Sequence, residues 1–406
     1  MKKGKKTGTK KTKPTAQADQ SKKVSQTLSE FSKKDTLVVK GMAIIFLILY
    51  HCFSAKDRLC GYDVSFGLMD EYTAMYIFES MNICVGIFAF LSSYGLTKTM
   101  MLKYKTLDLD RHNVSDFVTR RTVSLIGSFL IPYILCAVPT FIFTDYNTYG
   151  DVDFVFNMIA DILGIAGLLG SRMLVGTWWY MSFALIIIFL LPFTVRLYRR
   201  FGVLCVVPFI LVPFLLNTSF FSAKALDNMT RWLLTIPMGV IFADLKVFER
   251  MRAAHLTNNK VVSKIIKFVI LTAVLVLLVM FRKMPWCIQH LHYFISSILP
   301  VYFIYWMYEF VCVVPLLNSV LAFLGKHSSN IFFMHTFIRF VWFKDVTYGL
   351  GTWSLIFLFV FVCSLILSFA VTGVQRLTRW NKLVKWTADK LSGINEKIIT
   401  VAVSHS

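Results

Sequence analysis

Lys40-Gly41-Met42-Ala43-Ile44-Ile45-Phe46-Leu47-Ile48-Leu49-Tyr50-His51 is the stretch whose reading decides the fold. Between its two ionisable ends it is uncharged, and with its flanks (36–54) it approaches the ~20 apolar residues that cross a bilayer. Similar runs recur from Leu37 to Val371. The 406 residues are 56% hydrophobic and 16% charged, with mean hydropathy +0.64. A soluble globular chain carries about 25% charged residues, so a soluble enzyme is excluded. The expected fold class is an all-α integral membrane protein of about ten transmembrane helices in one bundle.

Apolar windows fall at roughly 36–54, 77–97, 122–144, 178–195, 201–217, 229–245, 264–281, 294–313, 328–343 and 353–374. Ten spans put both termini on one side. Most Lys and Arg then fall on that side, as the positive-inside rule requires of the cytoplasm. Residues 146–177, with Asp145, Asp151, Asp153 and Asp161 around an apolar stretch, read as an interfacial or re-entrant helix over the outer mouth. The domain plan is a disordered Lys-rich tail (1–35), one membrane domain (36–374) and a basic amphipathic tail (375–406).

The net charge of +21 is no nucleic-acid signature. Residues 1–34 alone hold eleven lysines among small polar residues, a composition that cannot bury a core. From Gln375 to Ile398, basic residues alternate with Leu and Trp as in a helix lying on the inner leaflet. The lipid bilayer is therefore one partner, and nothing indicates the oligomeric state. The eight cysteines have no metal-ligand spacing, and His290 with His292 gives too few ligands, so no metal is expected. Cys60 and Cys287 lie outside the apolar core and could pair.

An ionisable group inside a span is costly and is a functional candidate by default. Lys40 and His51 are eleven residues apart, which returns to within about 20° of one helix face, roughly 16 Å further along. Both would face one cavity. The alternatives are a lysine snorkelling to the headgroups and a satisfied core histidine. His335 could line the same cavity or bond between helices. Glu309 would pair with Lys326 or Lys40. Trp178, Trp179 and Tyr180 read as belt residues that could also stack on sugar rings, and Glu79 and Asn82 could contact sugar hydroxyls.

Lys40 to His51 resembles the first span of the membrane acyltransferase-3 family, in which a basic residue precedes a Tyr-His or similar pair. Val85 to Leu96 resembles its aromatic-rich second segment, and Phe117 to Pro132 its basic segment before the third span. Gly176-Thr177-Trp178-Trp179-Tyr180 resembles its Trp-Phe/Tyr segment. Leu324-Gly325-Lys326-His327-Ser328 to His335 resembles its late Leu-Gly-Lys-x-Ser…His segment. One departure is that Arg121 is followed three residues later by Ser124, where the family often has a second arginine.

The resemblance implies an O-acyltransferase moving an acyl group, usually acetyl from acetyl-CoA, to a hydroxyl of an envelope polysaccharide or lipid-linked glycan. The Lys-rich tail and the lack of an organellar signal fit a multi-pass protein of a bacterial plasma membrane with both termini cytoplasmic. Arg120, Arg121 and Lys40 would bind the CoA phosphates. Lys40 and His51 are the catalytic candidates, with His51 as general base or transient acyl carrier. Glu79, Asn82, Trp179 and His335 are the substrate-binding candidates. Two rivals are a transporter or flippase of an envelope precursor, using Lys40, His51, Glu309 and His335 as a polar path, and a catalytically silent sensor of the same fold.

Overall fold

A computed structural model describes residues 30–146, 148–150, 152–216 and 228–404. The Lys-rich tail up to residue 29, Asp151, Lys224 and the end of the 201–217 window lie outside the described residues. The principal helices are α1 (Lys33–Phe53), α2 (Ile83–Tyr104), α3 (Arg111–Phe143), α4 (Trp179–Phe201) and α5 (Thr235–Leu245), then α6 (Lys260–Arg282), α7 (His292–Trp306), α8 (Pro315–Thr336), α9 (Trp353–Leu377) and α10 (Trp380–Ser404). Among the described residues there is no strand, only a bridge between Ser65 and Thr352.

Local signals set the helix ends. Ser32 caps α1 by accepting from the Asp35 amide (3.2 Å), and Asp35 accepts in return from the Ser32 amide (2.8 Å), a reciprocal capping box. Asp110 starts α3 by accepting from the Asn113 amide (2.7 Å). Pro315 opens α8 in its first turn, where its missing N–H costs nothing.

Among the described residues, seven segments are long and apolar enough to cross a membrane. The expected count of about ten departs from this at three places. The windows 178–195 and 201–217 lie on one such segment, Gly176–Pro213. The window 229–245 holds only the eleven-residue α5. The window 328–343 is the second half of a helix that already starts at Pro315 and continues into a π turn, Phe337–Trp342. Asn318, Lys326, His327, Ser328 and Asn330 make α8 too polar to stand out by hydropathy.

Burial explains this polarity. Only 6% of the apolar stretch of α6 is buried, against 72% of His292–Val311. The most apolar helices are therefore peripheral, as a lipid-facing surface requires, and α8 is polar because it is central. It packs most extensively against α1. A Cβ on Gly41 would overlap the Leu321 carbonyl, and one on Gly325 would overlap that of Leu37. The two backbones thus touch at paired glycines, a close approach that small residues permit in membrane helices. This contact fixes the register of two parallel helices, and ten residues beyond each glycine stands a histidine, His51 on α1 and His335 on α8.

Candidate functional site

The histidine rings meet with centroids 5.1 Å apart. His51 is half-buried and lies on the wall of a cavity of about 590 Å³. Its Nδ1 is buried with no hydrogen-bond partner. His335 is fully buried behind it and is not on the wall. Its Nδ1 lies 2.8 Å from the Phe332 carbonyl. A carbonyl only accepts, so Nδ1 carries the proton. That leaves Nε2 as the acceptor for the Thr336 hydroxyl (3.3 Å), which in turn lies 3.1 Å from Thr177 Oγ1.

Several elements complete the wall. Asn82 and Val85 come from the start of α2, and Trp179 from the start of α4. Asn82 Oδ1 accepts from the buried Arg282 (2.6 Å). The π turn after α8 contributes Arg339, which is 5% exposed and donates to Tyr348 Oη (3.0 Å). The loop after α1 contributes Asp57 and Arg58. It is pinned by Ser65, whose amide donates to the Gly351 carbonyl (2.8 Å), and by Tyr62, whose hydroxyl donates to Asp345 (2.7 Å). Tyr146, Gly176 and Thr177 border the cavity from the 146–177 segment, which holds two short helices, Phe154–Ile162 and Ala166–Leu169. Asp161 locks that segment, accepting from Tyr149 Oη (2.7 Å) and the Leu174 amide (2.8 Å). Burial pushes its carboxyl up to about 6.

A second pocket, of about 390 Å³, lies at the other end of α2 and at the start of α3. Val85 borders the first cavity and Thr99 the second, so the two lie roughly 21 Å apart along α2. Lys103, Arg120, Arg121 and Ser124 line this pocket together with Asn381 and Lys385 of α10. Its two arginines differ. Arg120 is paired with both Asp116 and Asp389, and Asp116 also pairs with Lys103. Arg121 and Lys385 make no ion pair among the described residues.

With this geometry in hand, comparison with known families is decisive. The acyltransferase-3 model, described as an acyltransferase domain, matches residues 38–373. The chain belongs to this family. No curated protein and no solved structure matches it. The seven long apolar helices and the family together make it a multi-pass membrane protein.

Other residues singled out in this acyltransferase-3 chain are dispersed by the fold. Lys40 is half-buried on α1 and lines neither cavity. Glu79 is paired with Lys283 (2.6 Å) and is off the cavity wall. Glu309 pairs with Lys267 (3.5 Å) rather than with Lys326 or Lys40. The buried Lys267 also donates to the carbonyls of Met251 and Arg252, so this pair closes a helix end. Trp178 is no belt residue: it is 1% exposed and donates to the Phe333 carbonyl (3.0 Å). All eight cysteines are free, Cys60 and Cys287 included.

The sequence missed Arg339, Arg58 and Arg231 on the His51 cavity, because each looked like a charge at a span end. It also missed the docking of α10 in this acyltransferase-3 fold. Trp380, Val384, Ala388 and Ser392 recur every fourth residue. Trp380 Nε1 donates to the Gly127 carbonyl (2.7 Å), Val384 fills the space beside Gly127, and Ser392 donates to Asp116 (2.6 Å). That i, i+4 stripe was the available signal.

Proposed function

We propose that this acyltransferase-3 chain is an O-acyltransferase that carries an acyl group, acetyl in the simplest case, from cytosolic acyl-CoA to a hydroxyl of an envelope carbohydrate. The observation that supports it most is His51: an imidazole on a cavity wall, with a buried and unpartnered nitrogen, held in register by the Gly41–Gly325 contact. The acceptor hydroxyl would sit in the His51 cavity, and the CoA phosphates would sit at Arg121 and Lys385.

In this reaction the neutral His51 imidazole takes the hydroxyl proton as the oxygen attacks the thioester carbonyl. The C–O ester bond forms, the C–S bond breaks, and the CoA thiolate leaves, recovering the proton from the imidazolium. General-base assistance of this kind is worth about 10²- to 10⁴-fold. An acyl-histidine would divide the same transfer into two steps. His335 is then a positioning residue, because its proton is committed to Phe332 and it packs behind the reacting ring. The excess of basic residues at the Arg121 end supports a cytoplasmic setting for that end by the positive-inside rule, where acyl-CoA is found.

The test uses cells lacking the protein, complemented with wild type or His51→Ala at equal membrane level, and quantifies ester-linked acyl groups on purified envelope glycans. Wild type restores the esters and His51→Ala does not. Equal restoration by both would make His51 structural.

A further inference from the structure

The His51 cavity carries more positive charge than proton transfer to a hydroxyl needs. Among the described residues on its wall, Arg58 and Arg339 stand with a single carboxylate, Asp57. Neither Arg58 nor Arg339 makes an ion pair with a carboxylate among the described residues. Arg339 is the most telling. It is 5% exposed, its buried Nε has no partner, and its NH1 donates only to neutral oxygens, Tyr348 Oη (3.0 Å) and the Arg58 carbonyl (3.5 Å).

A buried guanidinium without a counter-ion is expensive, and within a membrane domain it marks a ligand pathway or site. Asn82 points the same way. Its Oδ1 accepts from Arg282, and its side-chain NH2 adds two donors at the wall. A wall on which arginines outnumber carboxylates suits an anion, and guanidinium matches phosphate and carboxylate geometry in particular. The volume of about 590 Å³ lies within the range of small-molecule sites.

We propose that the acceptor is an anionic glycan, bearing a phosphate or carboxylate near the acylated hydroxyl, held by Arg58 and Arg339 while His51 faces the hydroxyl. This rests on the reading of the His51 cavity as the acceptor site. The arginines set which sugar is bound, and His51 acts on it.

The experiment uses the purified full-length protein in detergent, with thermal stabilisation measured against glucose 1-phosphate, glucuronate and methyl glucoside. Acetyl-CoA turnover is followed in parallel. The charged sugars stabilise at concentrations about 10- to 100-fold below those needed for methyl glucoside, the range expected for charge-assisted contacts. Stabilisation by one charged sugar alone supports the proposal and tells phosphate from carboxylate. Arg58→Gln, at a half-exposed loop site where folding is tolerant, weakens the charged sugars by about tenfold and leaves methyl glucoside unchanged. Arg58→Lys restores part of the loss.

Equal stabilisation by neutral and charged sugars, none by any of them, or an Arg58→Gln loss shared by all three overturns the proposal. Turnover separates this from the acyltransferase reading. His51-dependent acetyl-CoA consumption without charge selectivity removes only the anion site. Charge-selective binding without any turnover supports the anion site and counts against the catalytic role of His51.

Discussion

Arginines line the pockets at both ends of α2, yet the fold treats them in opposite ways. At the start of α3, Arg120 lies between Asp116 and Asp389, so its charge is spent inside the protein. At the His51 cavity, Arg58 and Arg339 make no ion pair among the described residues, and Arg339 is buried besides. A basic residue in a sequence is therefore a ligand candidate only after its fold partners have been counted. Arg120 resembles a phosphate ligand in sequence and is held in ion pairs on its pocket wall in the structure, whereas Arg339 attracts no notice in sequence and lines the other cavity.

The strongest way to break this contrast is to separate the helices that build the His51 end. Gly41→Leu drives a side chain into the Leu321 carbonyl and should cost more than about 4 kcal/mol. Thermal unfolding in detergent would read this as loss of the folded protein, and Gly325→Leu should match it. Gly95→Ala, with open space around it, should be neutral or slightly stabilising. A tolerated Gly41→Leu would mean that the glycines do not set the histidine register.

Next in size are the paired variants at the other end. Arg121→Gln should raise the KM for acyl-CoA about tenfold, as loss of a charge-assisted phosphate contact does. Arg120→Gln should raise it by less than about threefold, because its charge is already neutralised. The reverse order in steady-state kinetics would show that ion pairing does not decide which arginine binds the donor. Lys385→Gln should follow Arg121→Gln, since α10 carries it into the same pocket.

The smallest effect concerns the segment beside the His51 cavity. Buried Asp161, pushed up to about 6, holds its proton to higher pH in the fold than in the unfolded chain, where a carboxyl titrates near 3.9. The folded state binds more protons in that interval, so stability falls as pH rises from about 4 to about 6 and is level above. Melting temperatures across this range would show the slope, and Asp161→Asn should flatten it while keeping an acceptor for Tyr149 Oη.

Much of the membrane bundle was legible because burial in lipid demands long apolar helices, and six of the ten windows fall one to one on long apolar segments. The three departures from ten differ in cause: two windows share one segment, α5 is short, and α8 is polar. Hydropathy measures contact with lipid, so it ranks peripheral α6 and α9 highest and loses α8, which is surrounded by protein. His51 was legible from its depth in an apolar run. Lys40, also legible as an intramembrane charge, lines neither cavity, because eleven residues along one helix fix a direction but not what stands opposite it.

By itself the sequence determined the all-helical membrane fold, through run length and charge content, and the family, through five short segments in order. Those properties are local, or they depend only on order along the chain. The tertiary structure alone decided that His335 stands behind His51, that Glu309 answers Lys267, that α10 docks on α3, and that Arg339 lines a cavity with no ion pair among the described residues. Each is a pairing between residues distant in sequence, set by where two backbones touch, as at Gly41 and Gly325, and no period or composition along a single chain encodes which side chains such a contact brings together.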